Sequence, residues 1–178
     1  SSPRYKFGID LDASWNGFDI RMFFQGVAKR DYWLGDNMFW GASGGLWQST
    51  CFTDHLDFFR SEGDDWGANP NAYFPRPILD GGKNQKKQTR YLQNAAYLRL
   101  KNLQIGYTLP ASLTNKAGLS KLRVFLSVEN LFTISGFPDS FDPETLGSGY
   151  GNWNGTVTES AKSYPLSRTV STGLSVTF

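Results

Sequence analysis

The chain has 178 residues, 18 Lys and Arg against 16 Asp and Glu for a net charge of +2, 39% hydrophobic and 16% aromatic residues, 19 glycines and one Cys. That length suits one domain with a sizeable core; the dispersed charge argues against nucleic acid as a partner, and one Cys makes no internal disulfide. No run approaches the roughly 18 apolar residues of a membrane-spanning helix, whereas a membrane-spanning strand needs only about 9–11 with every second one apolar.

The first stretch has that alternation. Tyr5, Phe7, Ile9, Leu11, Ala13 and Trp15 mark one face of a strand predicted over about 4–15, and Arg4, Lys6, Asp10 and Asp12 mark the other. Asn16-Gly17 follows, a dipeptide suited to the two positive φ values of a type I′ hairpin turn. A two-residue loop pairs Trp15 with Phe18, Ala13 with Ile20, Leu11 with Met22, Ile9 with Phe24 and Phe7 with Gly26. On the polar face it sets Asp12 opposite Arg21, a stabilising cross-strand charge pair. The second strand is expected over about 18–32.

Residues 33–90 form a long polar and aromatic connection. "TDHLDFFRSE" (53–62) reads as a short helix, and "NPNAYFPRP" (69–77) is excluded from a central strand by its prolines. A third strand is expected over about 95–109. Its apolar positions change from Leu98 and Leu100 to Leu103, Ile105, Tyr107 and Leu109, which calls for a bulge near Lys101-Asn102. After Pro110 come one or two helical turns stopped at Gly118. The fourth strand is expected over about 121–132, with Leu122, Val124, Leu126 and Val128 on one face. A second long connection leads to the fifth, where Val170, Thr172, Leu174, Val176 and Phe178 alternate with polar or small residues.

Short connections thus alternate with long ones, which gathers the short turns and the rings of Trp15, Phe18, Tyr107 and Phe178 at one end. An all-β, antiparallel transmembrane barrel segment with long extracellular loops fits these features, with lipid against the apolar stripes. Asp10, Asp12, Arg21 and Gln25 then face the lumen. The competing architecture is a soluble, Trp-rich carbohydrate-binding β-sandwich, whose strands usually run only about 5–6 residues. Barrels of bacterial outer membranes start at about 8 strands, so five imply neighbours from outside the chain. The start at Ser1-Ser2-Pro3, without Met or signal peptide, leads to the same expectation of a processed or partial chain.

The motifs "NPNAYFPR" (69–76), "YLRLKNLQIGYTLP" (97–110), "LRVFLSVENLFTISGF" (122–137), "FDPET" (141–145) and "YPLSRTVSTGLSVTF" (164–178) resemble, in order and spacing, the C-terminal barrel segment of SusC/RagA-type TonB-dependent transporters of Bacteroidetes. The opening hairpin is similar to the one that precedes them in that family. This resemblance implies that residues 1–178 are the C-terminal part of a barrel of about 22 strands around an N-terminal plug. It implies an outer-membrane location, energy supplied through TonB, a SusD-like surface lipoprotein as lid, and oligosaccharide or peptide cargo. It also makes Leu174, Val176 and Phe178 a signal for the barrel-assembly machinery.

Two roles are open to the rings of the first long loop, from Trp33 to Phe74: stacking on cargo or lid, and packing the loop's own core. Trp47 and Trp66 are the two assigned to cargo or lid. Asp54, Asp57, Glu62, Asp64 and Asp65 lack the spacing of a calcium loop, so no metal site is assigned. Cys51 and His55, at i and i+4, lack the orienting third group and oxyanion hole of a catalytic pair. With His55 the sole histidine, an outer-membrane hydrolase is the weaker alternative, and no catalytic residue or cofactor is expected.

Overall fold

The computed structural model describes residues 2–35, 37–41, 51–78, 82–146 and 164–178. The chain divides into two units: Ser1–Asp31, Asn94–Pro138 and Pro165–Phe178 in the first, Tyr32–Gln93 and Asp139–Tyr164 in the second.

Five long strands make up the first unit's sheet. They are β1 (Tyr5–Trp15) and β2 (Phe18–Lys29), then β5 (Tyr97–Thr108), β6 (Lys121–Ser135) and β7 (Thr169–Thr177). Between β2 and β5 in sequence lie β3 (Asp31–Trp33) and β4 (Leu92–Asn94), which form a separate two-stranded ribbon. The long strands are arranged β1-β2-β5-β6-β7, every neighbouring pair antiparallel. The expected second strand over 18–32 is therefore two elements. A register shift at the start of β1 sets Tyr5 opposite Lys29 and Lys6 opposite Val27, and pairing with β1 goes no further.

Local chemistry accounts for the turns. Asn16 and Gly17 have φ of 48° and 86°, the paired positive values of the expected type I′ loop, and all five anticipated apolar pairs from Trp15–Phe18 to Phe7–Gly26 are formed. Ala111–Thr114 is one helical turn, continued by a 3-10 turn at Asn115–Ala117 and ended by Gly118 at φ 72°. The bulge falls on Lys101. Phe23 and Phe24 on β2 face Asn102 and Leu100 on β5, while β6 steps from Glu129 to Phe132 through Asn130 at φ 51°. This extra residue returns the apolar positions on both sides of it to one face. β6 itself runs three residues past its expected end.

Successive rows of partners cross the whole sheet. One row is Leu11, Met22, Leu103, Val128 and Val170; another, beside the short turns, is Trp15, Phe18, Tyr107, Val124 and Leu174. Phe18 and Tyr107 stack in the latter at 4.5 Å between centroids. The apolar face is open: Leu11 is 48% exposed, Trp15 79% and Leu174 67%. Among the described residues no second long-stranded sheet covers it.

The second unit has the well-buried core. Tyr32, Trp33 and Leu34 follow one another into it, joined by Phe39, Trp40, Ala72 and Tyr91. Edge-to-face rings tie these together, with centroids 4.9 Å apart for Trp40–Tyr91 and 5.5 Å for Phe39–Phe74. The helix expected over 53–62 is only a 3-10 turn at Thr53–Leu56. Beyond it, Phe58 and Arg60 form isolated bridges to Phe74 and Asn69 instead of continuing a helix.

Candidate functional site: a polar sheet face and an aromatic loop unit

Asp10, Asp12, Arg21 and Gln25 share the face opposite the apolar stripes, since Asp12 is partnered with Arg21, Asp10 with Phe23 and Gln25 with Gly8. The expected Asp12–Arg21 charge pair is corrected in one respect. Although Arg21 lies directly opposite Asp12, its guanidinium reaches diagonally to Asp10, with Nε to Oδ1 at 3.2 Å and Nη2 to Oδ2 at 2.6 Å. Strand twist brings diagonal neighbours within reach of a side chain as long as Arg, and the fork then binds one carboxylate with two parallel bonds.

A second ion pair on this face has no counterpart in the expectations. Arg123 on β6 spans β5 to reach Asp19 on β2, donating from Nε to Oδ1 at 2.9 Å and from Nη2 to Oδ2. Gly106 lies between, opposite Asp19 on one side and Phe125 on the other. A Cβ there would stand 2.6 Å from the guanidinium carbon, so the missing side chain is the passage. Gln104 Oε1 accepts a further bond from Nη2 at 3.3 Å. Opposite charges on one face, separated by a strand with Gly at the crossing, was the available sequence signal.

In the second unit, His55 is committed to structure. Its Nδ1 accepts from the Phe52 N–H at 2.8 Å and its Nε2 is 2.9 Å from the Phe39 carbonyl, so both ring nitrogens serve backbone groups. That leaves none to activate Cys51, which is exposed. Trp66 is 71% exposed; Trp47 lies outside the described residues. Leu174, Val176 and Phe178 stand exposed at the end of β7. Among the described residues no group of His, Cys, Asp and Glu could hold a metal.

Asp57 organises the loop between these rings. Its carboxylate accepts from Asn69 Nδ2 at 2.9 Å and from the Tyr73 N–H at 3.0 Å, and its carbonyl accepts from the Phe74 N–H. The Asn69 bond first, then the Tyr73 amide, hold its pKa below the ordinary carboxylate value. A depressed pKa contributes order that is full above the ordinary value, about 3.9, and is lost as pH falls through the lowered one. Asp57→Asn is expected to raise hydrogen exchange at the Tyr73 amide about tenfold at pH 7. It should also abolish the fall in protection expected of the unchanged protein below about pH 4. Exchange measured against pH, corrected for intrinsic rates, checks both.

No family model matches the chain. It is 30% identical, over 99% of its length, to TonB-dependent receptor P3 of Formosa agariphila, and 27% identical, also over 99%, to TonB-dependent receptor P26 of the same organism. It spans only 16% and 17% of those two proteins. Among solved structures it superposes on the RagAB peptide importer in its open-open state with a TM-score of 0.68 at 28% identity, and in its closed-closed state with 0.69 at 29%. In both, 99% of this chain and 17% of the other are covered. These relatives are receptors and importers, not enzymes.

Proposed function

We propose that this chain, a barrel segment of the SusC/RagA type of TonB-dependent receptor, forms adjacent staves of an outer-membrane barrel that imports oligosaccharides or peptides. Residues 1–178 are the C-terminal part of the barrel domain, and the remaining polypeptide supplies the other strands and the plug. TonB drives the import, and a SusD-like surface lipoprotein closes the extracellular side. Asp10, Asp12, Arg21 and Gln25 face the lumen. Leu174, Val176 and Phe178 are presented to the assembly machinery, and Trp47 and Trp66 to cargo or lid. The RagAB likeness supports a two-component importer, and it favours peptides within the cargo class.

The observation that carries the membrane reading is the open apolar face. Tyr5, Phe7, Ile9, Leu11 and Trp15 all lie exposed on one side of β1, with Val170, Leu174 and Val176 likewise on β7. A contiguous apolar surface on this scale, running across five strands, is not left to water in a soluble domain. Hydrocarbon covers it without requiring hydrogen bonds, which the strands supply to one another.

Spin labels placed singly at Ile9, Leu11 and Leu174, and at Asp12, Ser127 and Ser171, in the complete protein with Cys51 replaced by Ser, test this in lipid vesicles. The first three are expected to collide with dissolved oxygen and the others with a water-soluble nickel chelate. Equal access of the chelate to both sets would end the membrane reading. Uptake of labelled peptide or oligosaccharide that survives loss of TonB would end the TonB-driven reading alone.

A further inference from the structure

The second unit contains a cavity of about 350 Å³ whose lining includes the apolar rings of Trp40, Phe58 and Phe74 and the consecutive residues Asp64, Asp65 and Trp66. The loop bearing these three is fastened before any ligand arrives. Arg60 donates from Nε to the Gly67 carbonyl at 2.8 Å and from Nη1 to the Leu56 carbonyl at 3.1 Å, and its backbone pairs with Asn69. Asp64 is engaged, accepting from the Trp66 N–H at 3.1 Å and facing Arg76 at 3.9 Å.

Two groups on this rigid loop have no internal use. Trp66 makes no ring contact among the described residues and exposes most of its indole, and the exposed Asp65 carboxylate has no hydrogen-bond or ion-pair partner among them. We infer that the cavity binds a primary ammonium carried on an aliphatic stem. The methylenes lie along the apolar rings, and the cation sits between the Trp66 face and the Asp65 carboxylate.

Chemistry favours this ligand over a sugar. Sugar hydroxyls need donors and acceptors distributed around the site, whereas here the charged groups come from one run, 64–65, and the His55 nitrogens are already spent on backbone. An aromatic face beside a carboxylate stabilises a cation twice over, by the ring quadrupole and by a charge-assisted bond. The volume is near the lower bound for ligand pockets and matches one such side chain with its flanking backbone better than a long chain. A lysine side chain of a peptide and a free diamine share this chemistry. The site stands on the loop's own geometry, and only its use in import rests on the transport reading.

Calorimetric titration of the complete, detergent-solubilised transporter tests it with three probes: acetyl-Ala-Lys-Ala-amide, the same peptide with norleucine for lysine, and cadaverine. The lysine peptide is expected to bind at least about tenfold more tightly than the norleucine peptide, and Asp65→Asn and Trp66→Ala should each weaken it about tenfold. Asp65→Glu, which keeps the charge, should hold affinity within about threefold. Cadaverine binding with the same dependence on Asp65 and Trp66, without binding of the peptide, keeps the site and assigns it to free diamines. Equal binding of lysine and norleucine peptides, indifference to both substitutions, or no binding at millimolar concentration overturns the inference. Binding that persists while uptake fails would count against transport and leave the site standing.

Discussion

Leu11→Arg is expected to destabilise the proposed barrel by about 2–4 kcal/mol, the cost of a guanidinium if that face meets lipid near the bilayer midplane. Depth follows from the strand itself. Tyr5 and Trp15 bound the stripe of β1, and the ten residue steps between them span about 34 Å along the strand. At a tilt of roughly 40° this is about 26 Å along the membrane normal, matching the apolar band of about 25 Å in such barrels. Leu11 is near its middle, in the row that continues through Met22, Leu103, Val128 and Val170. Ser171 on β7, paired with Ser127, occupies the other face, and Ser171→Arg should change stability by no more than about 0.5 kcal/mol. Denaturant titration of the complete protein in lipid vesicles gives both values. Equal costs for the two substitutions would mean that the apolar face does not meet lipid.

The second large effect is expected at the Asp19–Arg123 pair. Asp19→Ala should cost about 1.5–3 kcal/mol, the range for a hydrogen bond to a charged group. Its partner is the reason. The Arg123 side chain is only 20% exposed and that of Asp19 34%, so the guanidinium would keep just the longer Gln104 bond. Removing one member of a shielded pair leaves an uncompensated charge, whereas removing both avoids that penalty. The double variant Asp19→Ala/Arg123→Met is therefore expected to be more stable than Asp19→Ala, and the cycle of single and double variants measures the coupling. The more exposed pair provides a control. Arg21 and Asp10 have side chains 64% and 45% exposed, where solvent screens the charges, and Asp10→Ala should leave the unfolding midpoint unchanged within error. An additive cycle at 19 and 123 would show that the bridge across Gly106 contributes nothing as a unit.

How far the sequence could be read depended on the range of the contact concerned. A strand's two-residue period and a turn's φ requirements are local properties. They were enough for the first hairpin's register, the bulge at Lys101, the left-handed stop at Gly118 and the five long strands. Where pairing with a distant segment takes over, local pattern was silent. The ribbon of β3 with β4 depends on residues 92–94, some sixty positions onward, and 18–32 consequently looked like a single strand.

The same division holds for the sites. Alternation alone placed Asp10, Asp12, Arg21 and Gln25 on one face and the apolar stripe on the other, because successive side chains must point to opposite sides of a sheet. Sequence could not select Asp10 over Asp12 as the partner of Arg21, since twist makes that choice. Nor could it join Asp19 to Arg123, 104 positions apart and across a third strand. In the loop unit, composition gave many rings without their roles. Only packing separated Trp33, Phe39 and Trp40, buried in its core, from Trp66, left exposed at the rim of the cavity that Asp65 also lines, because burial depends on which surfaces meet and not on residue type.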